Sequence, residues 1–183
     1  MQMLENIILG LLMEGTMSGY DLKKNIDSSV GTFYTASYGS LYPALKRLSD
    51  KELVSLTETD NSKNKKLYTL LPSGQKHFLD WLAGPSQGGR NEQLIRIFFY
   101  DYLDEETRQL RLGEYLFKTE QEIRTLETVQ GIVAEELKHL PNPGDYHYRL
   151  SVLSYGLKHF EMEKQWLKDI KERKDLKHDE SAK

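Results

Sequence analysis

Residues 36–51, ASYGSLYPALKRLSDK, decide how the chain is read. At the helical step of about 100° per residue, Leu41, Ala44, Leu45 and Leu48 fall on one side, and Gly39, Tyr42, Pro43 and Lys46 on the other. This spacing predicts a short helix that packs through its leucines and offers a polar, basic side to a partner. Ser37 or Ser40 serves as its cap. Pro43 is easiest to accommodate in a first turn, where its missing N–H costs little, so both cap choices stay open.

Upstream, Leu4, Ile7, Ile8, Leu11 and Leu12 form the stripe of a helix with one buried side, closed by Gly15. Ser18 followed by Asp21 is a capping box, in which serine oxygen and carboxylate satisfy free backbone donors at a helix start. A second helix follows over 19–29, with Leu22 and Ile26 inward and Lys23, Lys24 and Asp27 outward. Downstream, residues 53–59 and 67–71 alternate apolar and polar side chains, the mark of two strands. Between them lies a polar tip carrying Lys63, Lys65 and Lys66, and a short helix through Phe78, Leu79, Trp81 and Leu82 closes the unit. Helix, helix, helix, hairpin is the order of a winged helix-turn-helix module, three helices plus a two-stranded wing, expected over 1–83.

A glycine- and proline-containing stretch at 84–92 reads as a linker. Beyond it the chain is helical. Asp104, Glu105 and Glu106 open a long helix with acids at its positive end. Within it Leu112, Leu116, Thr119, Ile123, Leu126, Gln130, Val133, Leu137 and Leu140 alternate spacings of four and three, a heptad seam. Pro141, Pro143 and Gly144 turn the chain into a last helix with Leu153, Leu157, Phe160, Leu167 and Ile170 on one stripe and Trp166 beside it. The fold expected is therefore mainly α, a winged module followed by an antiparallel helical hairpin over 93–176 and a charged tail over 177–183. So much apolar seam predicts a second copy, with Leu112, Leu116, Ile123, Leu126, Val133, Leu153, Phe160, Trp166 and Leu167 as the dimerisation residues.

Composition bounds the function. The chain has 183 residues, 38% hydrophobic and 29% charged, with a net charge of −3, so bulk charge does not drive it to nucleic acid and charge distribution must. Cysteine is absent, which excludes disulfides and thiolate metal sites. The apolar run 7–13 lacks the flanks of a signal peptide, and no run reaches the roughly 18 residues of a membrane span. A cytoplasmic protein with no membrane partner is expected.

Between residues 36 and 76, Lys46, Arg47, Lys51, Lys63, Lys65, Lys66 and Lys76 outnumber Asp50, Glu52, Glu58 and Asp60. Duplex DNA is a dense line of negative charge, and lysines at a hairpin tip reach phosphates beside a groove that a helix occupies. Tyr42 and Lys46 are one turn apart, and Gly39 allows close backbone approach. The hydroxyl of Tyr20 is within reach of a phosphate. A charged helix face and a lysine-rich turn are also what an ordinary solvated surface looks like. No phosphate loop, dinucleotide fingerprint or zinc-helix motif is present, the histidines are scattered, and the adjacent Glu pairs diverge, so no enzyme, metal site or cofactor is expected. In the last helix His147, Tyr148 and Tyr155 supply rings suited to a small aromatic effector, with Tyr38 on the inner shoulder of the third helix as a further contact, although core packing accounts for such aromatics too.

The runs LGLLMEGTMSGYDLKKNI, SLYPALKRLSDKELV and KLYTLLPSGQKHFLDWL resemble the PadR family of bacterial transcription regulators, and the second half is similar to the helical dimerisation region of its longer members. The resemblance implies a homodimeric repressor on a palindromic operator in double-stranded DNA, released by an effector. It puts Tyr42, Pro43 and Lys46 in the recognition helix and Lys63, Lys65 and Lys66 in the wing; Ser37, Gly39, Ser40 and Arg47, on or beside the same helix, are expected DNA contacts from their position in this sequence. Glu52 and Leu53 stand where the family commonly has a glycine turn. A protein-interaction module built on a winged helix, without DNA binding, is the alternative.

Overall fold

Helix α1, Met3–Leu12, is buried from Leu4 to Leu12 on every side, not along the one stripe its spacing predicts. It is the central helix of its unit, and even Glu5 and Asn6 are enclosed. The computed structural model describes residues 3–58, 66–86 and 88–174. Its two compact units are Met1–Arg108 and Gln109–Lys183.

In the first unit, α2 (Gly19–Ser28) starts at the Ser18 cap, where Asp21 N–H donates to Ser18 Oγ at 3.2 Å and the Asp21 carboxylate accepts from Ser18 N–H at 3.2 Å. Val30, at the head of a short 3-10 turn, is fully buried. Helix α3 (Tyr38–Asp50) buries Leu41, Ala44, Leu45 and Leu48 as its spacing requires. Its cap is Ser37, in a reciprocal box with Ser40. Pro43 therefore stands in the second turn and not the first. The carbonyl of Gly39, four residues back, has no helical N–H to accept from, and both residues lie on the exposed side.

Strands β2 (Val54–Glu58) and β3 (Lys66–Leu70) pair antiparallel, Leu56 opposite Tyr68. A third strand, β1 (Met17–Ser18), pairs with the other edge of β3, giving the order β1-β3-β2. The two-stranded expectation missed it because two residues show no periodicity.

Helix α4 (Pro72–Ala83) buries Phe78 and Leu82. Helix α5 (Arg90–Phe98) belongs to the same compact unit, so the structural boundary falls later than the linker expected at 84–92. Arg96, 5% exposed, accounts for this: its Nη1 donates to the carbonyls of Trp81 at 2.5 Å and Gly84 at 2.9 Å, and its guanidinium lies 4.4 Å from the Trp81 ring. Phe99 then packs edge-on against Phe78, where a side chain on Gly10 would meet its ring at 2.7 Å.

Helix α6 (Glu105–Leu137) begins with Thr107 N–H donating to the Asp104 carboxylate at 2.8 Å, and α7 (His147–Lys171) returns after a 3-10 turn at Pro143–Tyr146. In the second unit Gln109 donates to the Lys171 carbonyl at 3.0 Å and the Tyr115 hydroxyl to Glu163 at 2.7 Å, early residues of α6 against late residues of α7. The pair is the antiparallel hairpin expected. Thr119, which interrupts the heptad, is buried beside this polar layer and donates to the Tyr115 carbonyl. No helix among the described residues is long and apolar enough to cross a membrane.

Candidate nucleic-acid interface

The outward side of α3 presents Gly39, Tyr42, Pro43 and Lys46 together, all exposed. Tyr42 is 47% exposed and its ring lies against the backbone of Gly19 at the start of α2. The Tyr38 ring stacks alongside at 6.1 Å. Lys46 reaches Asp50 at 3.0 Å, but both side chains are mostly in water, where such a pair contributes at most about 1 kcal/mol. Its ammonium is therefore available to a phosphate.

Ser37 and Ser40 are exposed but committed to the cap, with their hydroxyls on each other's backbone N–H groups at 3.1 and 3.2 Å. Tyr20 is exposed at the head of α2. Tyr38 departs from expectation: it lies not on an inner shoulder but on the surface, 46% exposed, with the Lys23 ammonium 5.9 Å from its ring. The reason is its place as the first residue of α3, on the same side as Tyr42 one turn on. Tyr20, Lys23, Lys24, Asp27, Ser28 and Tyr38 line an open depression of about 500 Å³. Lys23 and Lys24 were not among the expected contacts. Their spacing from Tyr20, three and four residues, is the signal that puts all three on one face of α2.

Arg47 also departs from expectation. It turns toward α1, with Nε 2.6 Å from the buried Glu5 carboxylate. In the wing, Lys66 is exposed and 3.4 Å from Glu58, whereas Lys63 and Lys65 lie outside the described residues. Beneath the sheet surface, burial raises the pKa of Tyr68, which Lys66 partly offsets and Tyr42 reinforces, so this phenol stays a neutral hydrogen-bonding group.

In the second unit, His147 meets Tyr148 edge-on at 5.3 Å, and Tyr155 stacks on His159 at 5.9 Å. These rings sit on the open side of α7, with Tyr148 84% exposed. They do not line the apolar groove of that unit, about 300 Å³, which is formed by residues including Val133, Leu137, Leu150 and Leu153. Of the expected dimerisation residues, Leu112, Ile123 and Leu167 are buried within the chain, and Leu126 packs toward Gly156 of α7. Leu116, Leu126, Val133, Leu153, Phe160 and Trp166 remain half-buried, and Val133 and Leu153 line that groove.

Two family models match the chain, the transcriptional regulator PadR-like family over residues 8–80 and the virulence activator alpha C-terminal family over 89–174. The first of these places residues 8–80 with the PadR-like transcriptional regulators. The negative transcriptional regulator PadR of Bacillus subtilis is 28% identical over 177 residues, 93% of this chain and 96% of that one. The crystal structure of Bacillus subtilis PadR with operator DNA is 27% identical, covers 95% of this chain and 100% of the other, and has a TM-score of 0.44. The crystal structure of the same protein with p-coumaric acid is 26% identical, covers 96% and 100%, and has a TM-score of 0.42.

Proposed function

We propose that this PadR-like regulator is a dimeric repressor that binds a palindromic operator, with α3 in the major groove and the wing on the flanking phosphates. The observation that carries the reading is the outward side of α3, where Gly39, Tyr42 and Lys46 stand together and exposed beside the face of α2 that carries Tyr20, Lys23 and Lys24. Repression has the support of the full-length relative, a negative regulator. A cytoplasmic location goes with that role.

For the dimer, support comes from the side of α7 that faces away from the hairpin seam. Tyr148, Val152, Tyr155, His159, Met162 and Trp166 follow spacings of four and three, and Tyr148, Val152, Tyr155 and Met162 are well exposed. Pairing through this second row shares Trp166 with the residues expected from the heptad and adds to them the exposed side of α7. Tyr148, His147 and Tyr155 then border the interface, where a small aromatic effector bound among them would bias the pairing and release the operator.

The test is anisotropy titration of the chain against its own upstream DNA and against random duplex, in a salt series, with p-coumaric acid added as the effector probe. Preferential binding is the expected outcome, with a slope that flattens by about 0.9 for each phosphate that Lys46→Ala or Lys66→Ala can no longer reach. No preference for any upstream fragment refutes the reading, and undiminished binding in the acid refutes its effector part for that ligand.

A further inference from the structure

Glu5 has no evident reason to be where it is. It lies in the first turn of a helix buried on all sides, and its side chain is 2% exposed. A carboxylate so enclosed is unfavourable unless cations and donors compensate it. Both compensating cations come from the recognition helix: Arg47 Nε at 2.6 Å, and the Lys51 ammonium at 3.5 Å from the other carboxylate oxygen. Lys51 is the cap residue of α3, one turn beyond Arg47.

The helix thus sorts its three cations. Lys46 points outward with a solvated partner. Arg47, the next residue, is about 100° further round the axis, and with Lys51 it is drawn toward α1. Neither is sealed in, since the two side chains remain 39% and 51% exposed at the flank of the outward face. Without Glu5, two long cationic side chains would border the surface that meets DNA, adding attraction to phosphates that is the same for every sequence.

We propose that Glu5 is a positioning residue for DNA recognition: it holds Arg47 and Lys51 away from the phosphate backbone and so limits binding to DNA of arbitrary sequence. This rests on the DNA-binding function proposed above. The full chain is titrated against upstream DNA and random duplex across a salt series. Glu5→Gln is expected to bind random duplex several-fold tighter, to steepen its salt slope by about 0.9 for each released cation that reaches a phosphate, and to lower the ratio of upstream to random affinity. A slope on random duplex that is unchanged or shallower, in a folded variant, overturns the inference.

Arg47→Met, which leaves Glu5 with Lys51, tests the same point should Glu5→Gln not fold. Unchanged slopes on both duplexes are expected; a loss of about 0.9 means that Arg47 already contacts phosphate, which overturns the inference while the wild-type preference for upstream DNA still upholds the function. Wild-type protein without DNA affinity overturns both.

Discussion

A Cβ atom on Gly19 would lie 2.8 Å from Cε1 of Tyr42. The phenol of Tyr42 on α3 occupies the space that a side chain at the start of α2 would fill. Because Tyr42 is half-exposed, its ring can swing outward when that space is taken, so Gly19→Ala is expected to displace the ring and leave the core intact. Operator affinity should fall several-fold with little change in melting temperature. In a Tyr42→Ala background the Gly19 change should add almost nothing, the mark of two residues acting through one contact. Additive losses by anisotropy would contradict this.

Glu52 has a φ of 54°, between α3 and β2. That conformation is unfavourable by about 1 kcal/mol for a residue with a Cβ, and Glu52 has its side chain in water. Glu52→Gly should raise stability by about 0.5–1 kcal/mol after the greater freedom of glycine in the unfolded chain is allowed for. Glu52→Ala should bring no such gain. Urea unfolding of the two variants distinguishes them.

Asp104 caps α6, and the Thr107 N–H and hydroxyl hold its carboxyl below the usual carboxylate range. A folded-state pKa lowered in this way contributes stability above the unfolded value, and that contribution is lost as pH falls through the folded value. The stability difference between wild type and Asp104→Ala should therefore be clear at neutral pH and narrow in acid. A difference that stays constant from neutral pH to strong acid, by denaturant titration, would show that the charge of the cap contributes nothing.

Replacing Val152 and Tyr155 with Glu should give a particle of one chain, 21.3 kDa, by light scattering, with the helical circular dichroism retained. Leu167→Glu, inside the hairpin, should instead lose helical signal, since it puts a charge where no water reaches. A double Glu variant that remains a dimer removes the α7 seam from the interface.

What was legible in the sequence was local. The Ser18 and Asp21 box, the leucine side of α3 and the strands around Tyr68 depend on residues within a turn or a strand of one another, and each formed as its pattern requires. What depended on distant partners was not. β1 exists only through pairing with β3, some fifty residues away, and Arg47 carries the same charge pattern whether it meets a phosphate or Glu5. Heptad spacing shows that a helix has a partner but not which one. The seam on α6 meets α7 of the same chain, and the exposure of Tyr148, Val152, Tyr155 and Met162 on the other side of α7 is visible only in the structure.

The join made by Arg96 bears on where such a chain can be cut. The two family models meet between residues 80 and 89, as the composition does, yet the first compact unit runs on through α5 to Arg108. A fragment ending at residue 83 would leave Phe78 and Gly10 without Phe99, and the Trp81 ring without its guanidinium. A fragment ending at Arg108, whose side chain takes the carbonyls of Tyr100 and Leu103, keeps these contacts. The bounds of the family matches and the piece that packs as one unit are thus offset by the length of α5 and the turn after it, so a chimaera joined between residues 80 and 89 has to carry matched partners for Trp81 and Phe78.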